Sequence, residues 1–206
     1  MGEPGVPEMN AYIEEVLKEG ETLGFDGRVV SVGEGEDYAA IAGKKNAKVN
    51  YQVDLIDEIW EDRPVLSEEP AFNLDVKYAG ETVASKLARI REEMKEAGTN
   101  VHIVSTIDDI CWTLNIRGND IDFFPLVLSY GIITMDSFEL YIDERKLDDK
   151  LKAKLAKDGV NLHPYNDIYE DVKKFGSDVV AMIDPGKLNY ACLLYTSPSP
   201  RDPKTS

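Results

Sequence analysis

The chain has 206 residues, of which 43% are apolar and 30% are charged, a composition typical of globular proteins and unlike that of disordered or fibrous ones. This length allows one large domain or two small ones, since domains usually hold about 100 to 150 residues. An excess of 39 acidic over 23 basic residues gives a net charge of −16, which argues against a nucleic-acid partner because phosphate binding needs clustered Lys and Arg.

Neither a membrane segment nor a secretory signal is visible in the sequence. No stretch approaches the roughly 20 apolar residues that cross a bilayer. Residues 1–10 lack the basic flank and the apolar run of a signal peptide. We therefore expect a cytoplasmic protein with no membrane contact.

Helices and short strands are predicted to alternate in the first part of the chain. Pro7 and Glu8 open an amphipathic stretch that Gly20 ends. The further predicted elements are a strand at Thr22–Phe25, a helix capped by Ser31 and reaching Ile41, a strand at Ala47–Tyr51 and a short helix at Leu55–Trp60. The charged segment that follows contains Pro64 and Pro70 without an apolar period, so we predict a linker at residues 63–70.

A second unit is predicted after the linker. Apolar side chains recur every three or four residues between Thr82 and Ala97, which predicts a helix ended by Gly98. The remaining predicted elements are a strand at Val101–Val104, a helix that begins near Thr106 and buries Ile107, Ile110, Cys111 and Leu114, a hairpin of strands Leu126–Thr134 and Phe138–Ile142, a helix at Asp148–Lys157, a strand at Val160–His163, a helix at Asn166–Phe175 and a strand at Asp178–Ile183. This order is typical of an α/β fold in which helices cover a mixed β-sheet.

The last residues of the chain differ in character from the rest. From Cys192 to Ser206 they resemble a translated sequencing adapter, so we expect an artefact tail that is not part of the fold. A natural proline-rich linker is the alternative. Pro185 and Gly186 are predicted to introduce a helix that this tail cuts off after about one turn.

The candidates for catalysis or metal binding are few, and we predict no catalytic, cofactor-binding or metal-binding residue. His102 lies in an apolar strand and His163 at a strand end, and neither has a partner at helical ligand spacing. Cys111 falls on the apolar side of its helix, where burial raises a thiol pKa and lowers reactivity. Asp108 and Asp109 are neighbours in a first helical turn, a position that favours interaction with the exposed amides over acid–base catalysis.

A short turn after the same helix brings a cation and an anion together. It runs Arg117-Gly118-Asn119-Asp120. Two interpretations are open, an ion-paired structural corner and a substrate-facing loop, and the first is the simpler one.

The order of residues around this turn resembles a pattern in the middle domain of aminopeptidase P, in the creatinase/prolidase family. The pattern consists of Asp108, Asp109, Trp112, Asn115, Arg117, Gly118 and Asp120. Further similarity lies in Leu55–Trp60 with Asp62–Pro64, in Lys86–Arg89, in Pro125, Ser129 and Tyr130, and in Pro164–Tyr165. Two residues depart from the family's pattern, Cys111 in place of Ala and Phe124 in place of Asn.

The resemblance implies a creatinase N-terminal-like, ribonuclease H-like α/β fold, a mixed β-sheet with helices on both faces. It divides the chain into five parts. Residues 1–62 are the end of a first creatinase-like domain, residues 63–70 are a linker, and residues 71–185 are a second such domain. Residues 186–191 are the start of a truncated lead-in to the catalytic domain, and residues 192–206 are the tail. Asp108, Trp112, Asn115, Arg117, Gly118 and Asp120 would organise a structural loop.

The same resemblance implies a parent enzyme that removes an N-terminal residue preceding proline. Its catalytic domain would hold two divalent metal ions, manganese in most members, and would lie outside this chain. The front domains would narrow access to the active site and support a homodimer. Two alternatives stay open, a non-enzymatic, histone-chaperone-type module whose acidic surface suits a basic partner, and another creatinase or prolidase relative.

Overall fold

The structure, a computed structural model, describes residues 5–193 of the chain. These residues group into two units. The first takes in the described residues up to Pro64 and those from Pro185 onward, and the second spans Val65–Asp184. Of the tail that the sequence predicts, residues 194–206 lie outside the described residues.

The helices alternate with strands along most of the chain. They are α1 (Met9–Val16), α2 (Val32–Lys44), α3 (Val76–Ala79), α4 (Val83–Glu96), α5 (Ile107–Leu114), α6 (Asp149–Lys157), α7 (Ile168–Asp171) and α8 (Tyr190–Leu193). The strands are β1 (Thr22–Gly24), β2 (Lys48–Asn50), β3 (Phe72–Asn73), β4 (Val101–Val104), β5 (Ile116–Arg117), β6 (Ser129–Thr134), β7 (Phe138–Ile142), β8 (Val160–His163) and β9 (Ala181–Met182).

In the first unit, α1 and α2 pack beside a parallel pair of short strands, β1 and β2. Helix α2 begins as predicted at Ser31, whose side chain accepts from the Glu34 amide while the Glu34 carboxylate accepts from the Ser31 amide. The small core of this unit consists of Ile13, Leu17, Ile41 and Ala42 with Leu23, Tyr38, Ala47 and Val49 packed against it.

The stretch after Pro185 belongs to this first unit. The Val32 amide donates to the Leu188 carbonyl, and the Tyr190 amide donates to the Val30 carbonyl, both at 2.8 Å. The Tyr190 ring lies so close to Gly35 that a Cβ atom at Gly35 would come within 2.2 Å of it. Residues 186–191, predicted as a lead-in to a further domain, therefore pack on the beginning of the chain.

The second unit is built on a five-stranded mixed sheet in the order β8-β7-β6-β4-β9. The inner pairs β4–β6 and β6–β7 are antiparallel, and the outer pairs β7–β8 and β4–β9 are parallel. The hairpin predicted around residues 135–137 is confirmed. A separate antiparallel pair joins β3 to β5.

Helices cover both faces of this sheet, as predicted. On one face, Phe138 and Leu140 of β7 share a core with buried residues of α4, α5 and α6. On the other face, the Tyr141 hydroxyl donates to Asp171 of α7 at 2.9 Å. The hydroxyls of Tyr130 and Tyr169 lie 3.0 Å apart on the same face. Among the described residues, no helix has the length and apolar content needed to span a membrane.

Several predicted elements differ from the structure. Residues 55–59 form turns instead of a helix, because only one bond of α-helical spacing forms there, from the Trp60 amide to the Ile56 carbonyl, and a single turn does not propagate. Asp54 holds these turns by accepting from the amides of Ile56 and Asp57. The last helix begins at Tyr190 and not at Pro185, and it includes Cys192 and Leu193, which the sequence predicts to lie in the tail outside the fold.

Three further predictions in the second unit are wrong: a strand boundary, a helix and the burial of one residue. Strand β6 begins at Ser129 and not at Leu126, because the Leu128 amide bonds the Asp120 carboxylate and not a neighbouring strand. The helix predicted at Asn166–Phe175 is a succession of 3-10 and α turns. Ile107 is partly exposed because it opens α5, while the other predicted apolar residues of that helix are buried.

Candidate functional site

The predicted loop lies where α5 ends and β5 begins. Asn115 ends α5 in the left-handed backbone region, with φ of 53°. Asn is one of the few side chains that adopt this conformation routinely, so it replaces the usual glycine at the helix end. The reversal sends the chain into β5, where Arg117 pairs with Phe72 of β3.

Lys86 of α4 holds this helix end in place. Its side chain is almost fully buried, and its Nζ donates to the Trp112 carbonyl at 2.6 Å and to Asn115 Oδ1 at 2.7 Å. The Asn115 side-chain amide in turn donates to the Glu81 carbonyl at 2.8 Å. A buried ammonium group is stabilised only when its donors find acceptors, and here they bridge α4 to the end of α5.

The electrostatic surroundings of Lys86 are mixed. Burial lowers the pKa of Lys86 below its usual value, Glu81 opposes that change, and Arg117 and Arg89 reinforce it. The Lys86 Nζ also lies 4.2 Å from the centre of the Trp112 ring, within cation–π distance. The lysine is thus held by carbonyl, amide and aromatic groups instead of a direct carboxylate partner.

Trp112 presents its ring to solvent, with an exposed fraction of 42%. The Arg89 guanidinium lies 5.7 Å from the ring centre and forms a two-bond ion pair with Glu81 at 3.1 and 2.8 Å. Hydrogen bonds from Arg89 and from Ser85 lower the pKa of Glu81 to about 2. Glu81 therefore stays charged throughout the physiological range and orients Arg89 beside the indole.

Arg117 does not pair with Asp120, so the ion-paired corner between these two residues is not formed. Its Nη1 donates to the carbonyls of Cys111 and Ile116 at 2.8 and 2.7 Å. Within residues 5–193, no carboxylate lies at ion-pair distance from the partly exposed guanidinium. Arg117 thus ties the last turn of α5 to β5 through carbonyl groups.

Asp120 instead pairs with Lys146. Its Oδ2 accepts from Lys146 Nζ at 2.6 Å and from the Leu128 amide at 2.7 Å, and the two charged side chains are only 1% and 2% exposed. The Asp120 Oδ1 is buried and has no hydrogen-bond donor among the described residues. This ion pair fixes the return of the loop towards β6.

Gly118 is the point of closest approach in the loop. A Cβ atom at this position would lie 2.7 Å from the Val127 Cγ2 atom and 3.3 Å from the Leu126 carbonyl oxygen. Contacts below about 3 Å require a neighbour to move. Only glycine lets β5 and the chain before β6 run this close together.

Of the six predicted loop residues, Trp112 and Asn115 are joined through Lys86, and Arg117 bonds the last turn of α5. Gly118 and Asp120 contact the chain before β6 instead. Asp108 is exposed in the first turn of α5. No hydrogen bond or ion pair within the described part of the chain joins it to the other five. The neighbouring Asp109 accepts a hydrogen bond from the Thr106 hydroxyl, and its predicted interaction with the helix amides stays a prediction.

The other candidates occupy structural positions. Met182 O lies 3.0 Å from His102 Nδ1, and His163 Nε2 lies 2.6 Å from Glu139. Cys111 is buried, and this burial raises the pKa of its thiol, as predicted. In the portion of the chain that the structure describes, no group of three or more His, Cys, Asp or Glu side chains has the arrangement of a metal site.

Two lysines that matter in this site were missed as site residues. Lys86 falls three residues after Val83 on the apolar face of α4, so a lysine at that position was a signal for a buried, bonded side chain. Lys146 lies 26 residues after Asp120, and no periodic pattern connects the two.

Lys146 also borders a cleft of about 540 Å³. One wall of the cleft is residues 65–68, part of the predicted linker, and the Glu68–Arg145 ion pair at 2.6 Å holds that wall in place. The predicted linker is therefore attached to the second unit along part of its length.

Comparison with known proteins identifies a family that most of the chain matches. Residues 62–203 match the Creatinase/Prolidase N-terminal domain. Aminopeptidase P2 of Arabidopsis thaliana is 35% identical over 196 residues, which cover 93% of this chain and 28% of that protein. A probable Xaa-Pro aminopeptidase P of Sordaria macrospora is 36% identical over 178 residues, covering 82% of this chain and 28% of the relative.

A solved structure gives the same result. The X-prolyl aminopeptidase of Caenorhabditis elegans, described as a cytosolic enzyme with a di-nuclear active site, superposes with a TM-score of 0.86 at 30% identity. The match covers 96% of this chain and 33% of that chain. This chain therefore spans about a third or less of the proteins it matches.

The resemblance to aminopeptidase P that the loop motif indicated is confirmed by these matches. The chain belongs to the creatinase/prolidase N-terminal domain family, in a form similar to the front part of Xaa-Pro aminopeptidases.

Proposed function

We propose that this chain is a non-catalytic front part of a metal-dependent Xaa-Pro aminopeptidase, a hydrolase that releases an N-terminal residue preceding proline. The observation that carries the proposal is its match to a segment of Xaa-Pro aminopeptidases that covers 93% of this chain but only 28% of the relative. Peptides with proline at the second position are the proposed substrates of the parent protein.

The loop residues support an organising role in place of a chemical one. Lys86, Asn115 and Asp120 direct their polar groups into bonds within the second unit. These groups are also buried, and a general acid or base must lie within hydrogen-bond reach of the proton that it transfers. The proposed role of the loop is to shape a surface that narrows access to the active site of the parent protein and supports a homodimer.

Two divalent metal ions, manganese in our proposal, would belong to a catalytic domain outside this chain. The di-nuclear active site of the similar nematode enzyme supports that assignment, and its cytosolic location supports the same compartment for the parent protein. When bound, such ions supply an activated water as the nucleophile.

A direct assay tests whether the chain lacks catalytic activity of its own. The purified 206-residue chain, supplied with manganese and an Xaa-Pro peptide, is expected to release no first residue. The full-length Arabidopsis relative in the same buffer is the positive control. Manganese-dependent turnover by the chain alone would contradict the proposal.

A chimera tests the contribution of the loop. The matching segment of the nematode enzyme is replaced by this chain, and Gly118→Val is introduced to displace β5 from residues 126–127. The expected result is a fall in kcat/KM with metal content unchanged, whereas an unchanged kcat/KM would contradict a role in active-site access.

A further inference from the structure

Positively charged side chains gather around Trp112. Lys86 and Arg89 lie at its ring and Arg117 at the adjoining Cys111 carbonyl, while the carboxylates of Glu81 and Glu93 act on Arg89. The whole chain carries a net charge of −16. Among the described residues, Lys86 and Arg117 have no carboxylate at ion-pair distance, although acidic residues outnumber basic ones in the chain as a whole.

Apolar surface lies beside these cations. Trp112 and Phe72 are 42% and 47% exposed. Phe72 is the register partner of Arg117 in the β3–β5 pair, so their side chains lie on one face of that pair. The guanidinium reaches the Cys111 carbonyl, one residue before Trp112. Trp, Phe and Arg are the residues that most often anchor protein partners.

Arg117 retains unused bonding capacity. A guanidinium carries five N–H donors, and the two bonds that the structure shows both come from Nη1. Within the described residues, it has no carboxylate at ion-pair distance. Arginine binds carboxylates through two parallel bonds, so a carboxylate is the group that fits the remaining donors.

We propose that Phe72, Arg89, Trp112 and Arg117 form a docking surface for an extended acidic protein segment, whose carboxylate bonds Arg117 and whose apolar side chain covers the indole of Trp112. Charge complementarity supports this occupant, since its carboxylate supplies the ion-pair partner that Arg117 lacks among the described residues. A nucleic acid is disfavoured because phosphate-backbone binding needs a larger cluster of Lys and Arg than the two arginines of this surface. This inference deepens, and rests on, the proposed surface-forming role of the loop.

Fluorescence of Trp112 tests the proposal in the full 206-residue chain. The sequence holds two tryptophans, so Trp60→Phe leaves Trp112 as the reporter. The probe is a capped peptide of six residues that alternates Leu and Glu, and the matched control peptide carries Gln in place of Glu. We expect saturable quenching or a spectral shift with the Glu peptide, weakening as salt is raised, and no saturable change with the Gln peptide.

Variants separate the docking surface from general charge effects. Arg117→Gln is expected to weaken binding about tenfold, the usual effect of losing a two-bond charged contact. Arg145→Gln removes an arginine at another surface, paired there with Asp143 and Glu68, and is expected to leave binding unchanged. Circular dichroism and melting of each variant verify the fold. If Arg117→Gln unfolds the chain, peptide binding by Arg89→Gln and the salt dependence of binding by the unsubstituted chain test the proposal in its place.

Several outcomes would overturn the inference. These are equal binding of the Gln peptide, an equal response to inorganic phosphate alone, or equal loss on Arg145→Gln. The absence of a response at millimolar peptide would also overturn it. Because this readout is binding by the chain itself, its failure is distinct from failure of the proposed function, which is judged by turnover.

Discussion

At the residue scale, the ion pair between Lys146 and Asp120 is the feature with the largest expected effect on stability. Its side chains are 2% and 1% exposed. Removing one partner leaves a charge buried without compensation, which typically costs about 3 to 5 kcal/mol. We expect Lys146→Met to lower the free energy of unfolding by that amount, measured by urea denaturation.

Two further variants check this explanation. Asp120→Asn in addition to Lys146→Met removes the stranded charge and is expected to restore at least half of the loss. Lys152→Gln, which breaks a surface pair with Glu144, is expected to cost less than about 1 kcal/mol. Equal effects of Lys146→Met and Lys152→Gln would contradict the buried-pair account.

Alanine substitutions at Gly118 and at Gly43 are predicted to change the stability of the fold in opposite directions. Gly118→Ala places a Cβ atom 2.7 Å from Val127, so overpacking of about 1 to 3 kcal/mol is expected. At Gly43 within α2, an added Cβ meets nothing within 4 Å, and Gly43→Ala is expected to stabilise by about 0.5 to 1 kcal/mol. Thermal melting measures both, and a stabilising Gly118→Ala would refute the close-approach argument.

At the element scale, hydrogen bonds across β7 and β8 predict a dependence on pH. Burial on its own raises the pKa of Glu139, but hydrogen bonds from Ser137, His163 and Asn161 outweigh it and lower that pKa below 4.5. A carboxylate with a depressed folded-state pKa contributes stability above its unfolded-state pKa, and that contribution is lost as pH falls through the folded-state value.

We therefore expect the free energy of unfolding to fall on acidification below about pH 4.5, and Glu139→Gln to flatten that fall. Urea denaturation at a series of pH values between about 3 and 7 measures it. Glu96→Gln, at an exposed position on α4, is the control and should leave the slope unchanged. An identical dependence of the unfolding free energy on pH for the unsubstituted chain and for Glu139→Gln would contradict the prediction.

At the scale of the whole molecule, the charge of −16 predicts that salt stabilises the chain. A large net charge destabilises a compact state through self-repulsion, and salt screens it, with a Debye length of about 10 Å at 0.1 M. We expect the melting temperature to rise as sodium chloride increases from low ionic strength. A falling melting temperature would show that screened ion pairs matter more than net charge.

Much of the fold could be predicted because it depends on local patterns. The apolar period of α4, the cap of α2 by Ser31 and the run of β4 each lie within a few residues of sequence. The site was only partly predictable, because its contacts join distant segments. Nothing near Asp120 indicates that its partner is Lys146, and the same lack of local signal led to the assumed Arg117–Asp120 pair. The domain boundaries and the origin of residues 192–206 stay predictions.

The first unit is assembled from both ends of the described chain, and this affects the order in which the protein is made. The Val32 amide and the Val30 carbonyl bond Leu188 and Tyr190, which leave the ribosome more than a hundred residues later. The intervening unit contains all of its own strands and can fold during translation, since domains generally fold as units while synthesis proceeds. The first unit therefore stays incomplete, with the place of the Tyr190 ring beside Gly35 unfilled, when residues up to Asp184 have left the ribosome and the second unit can already be complete.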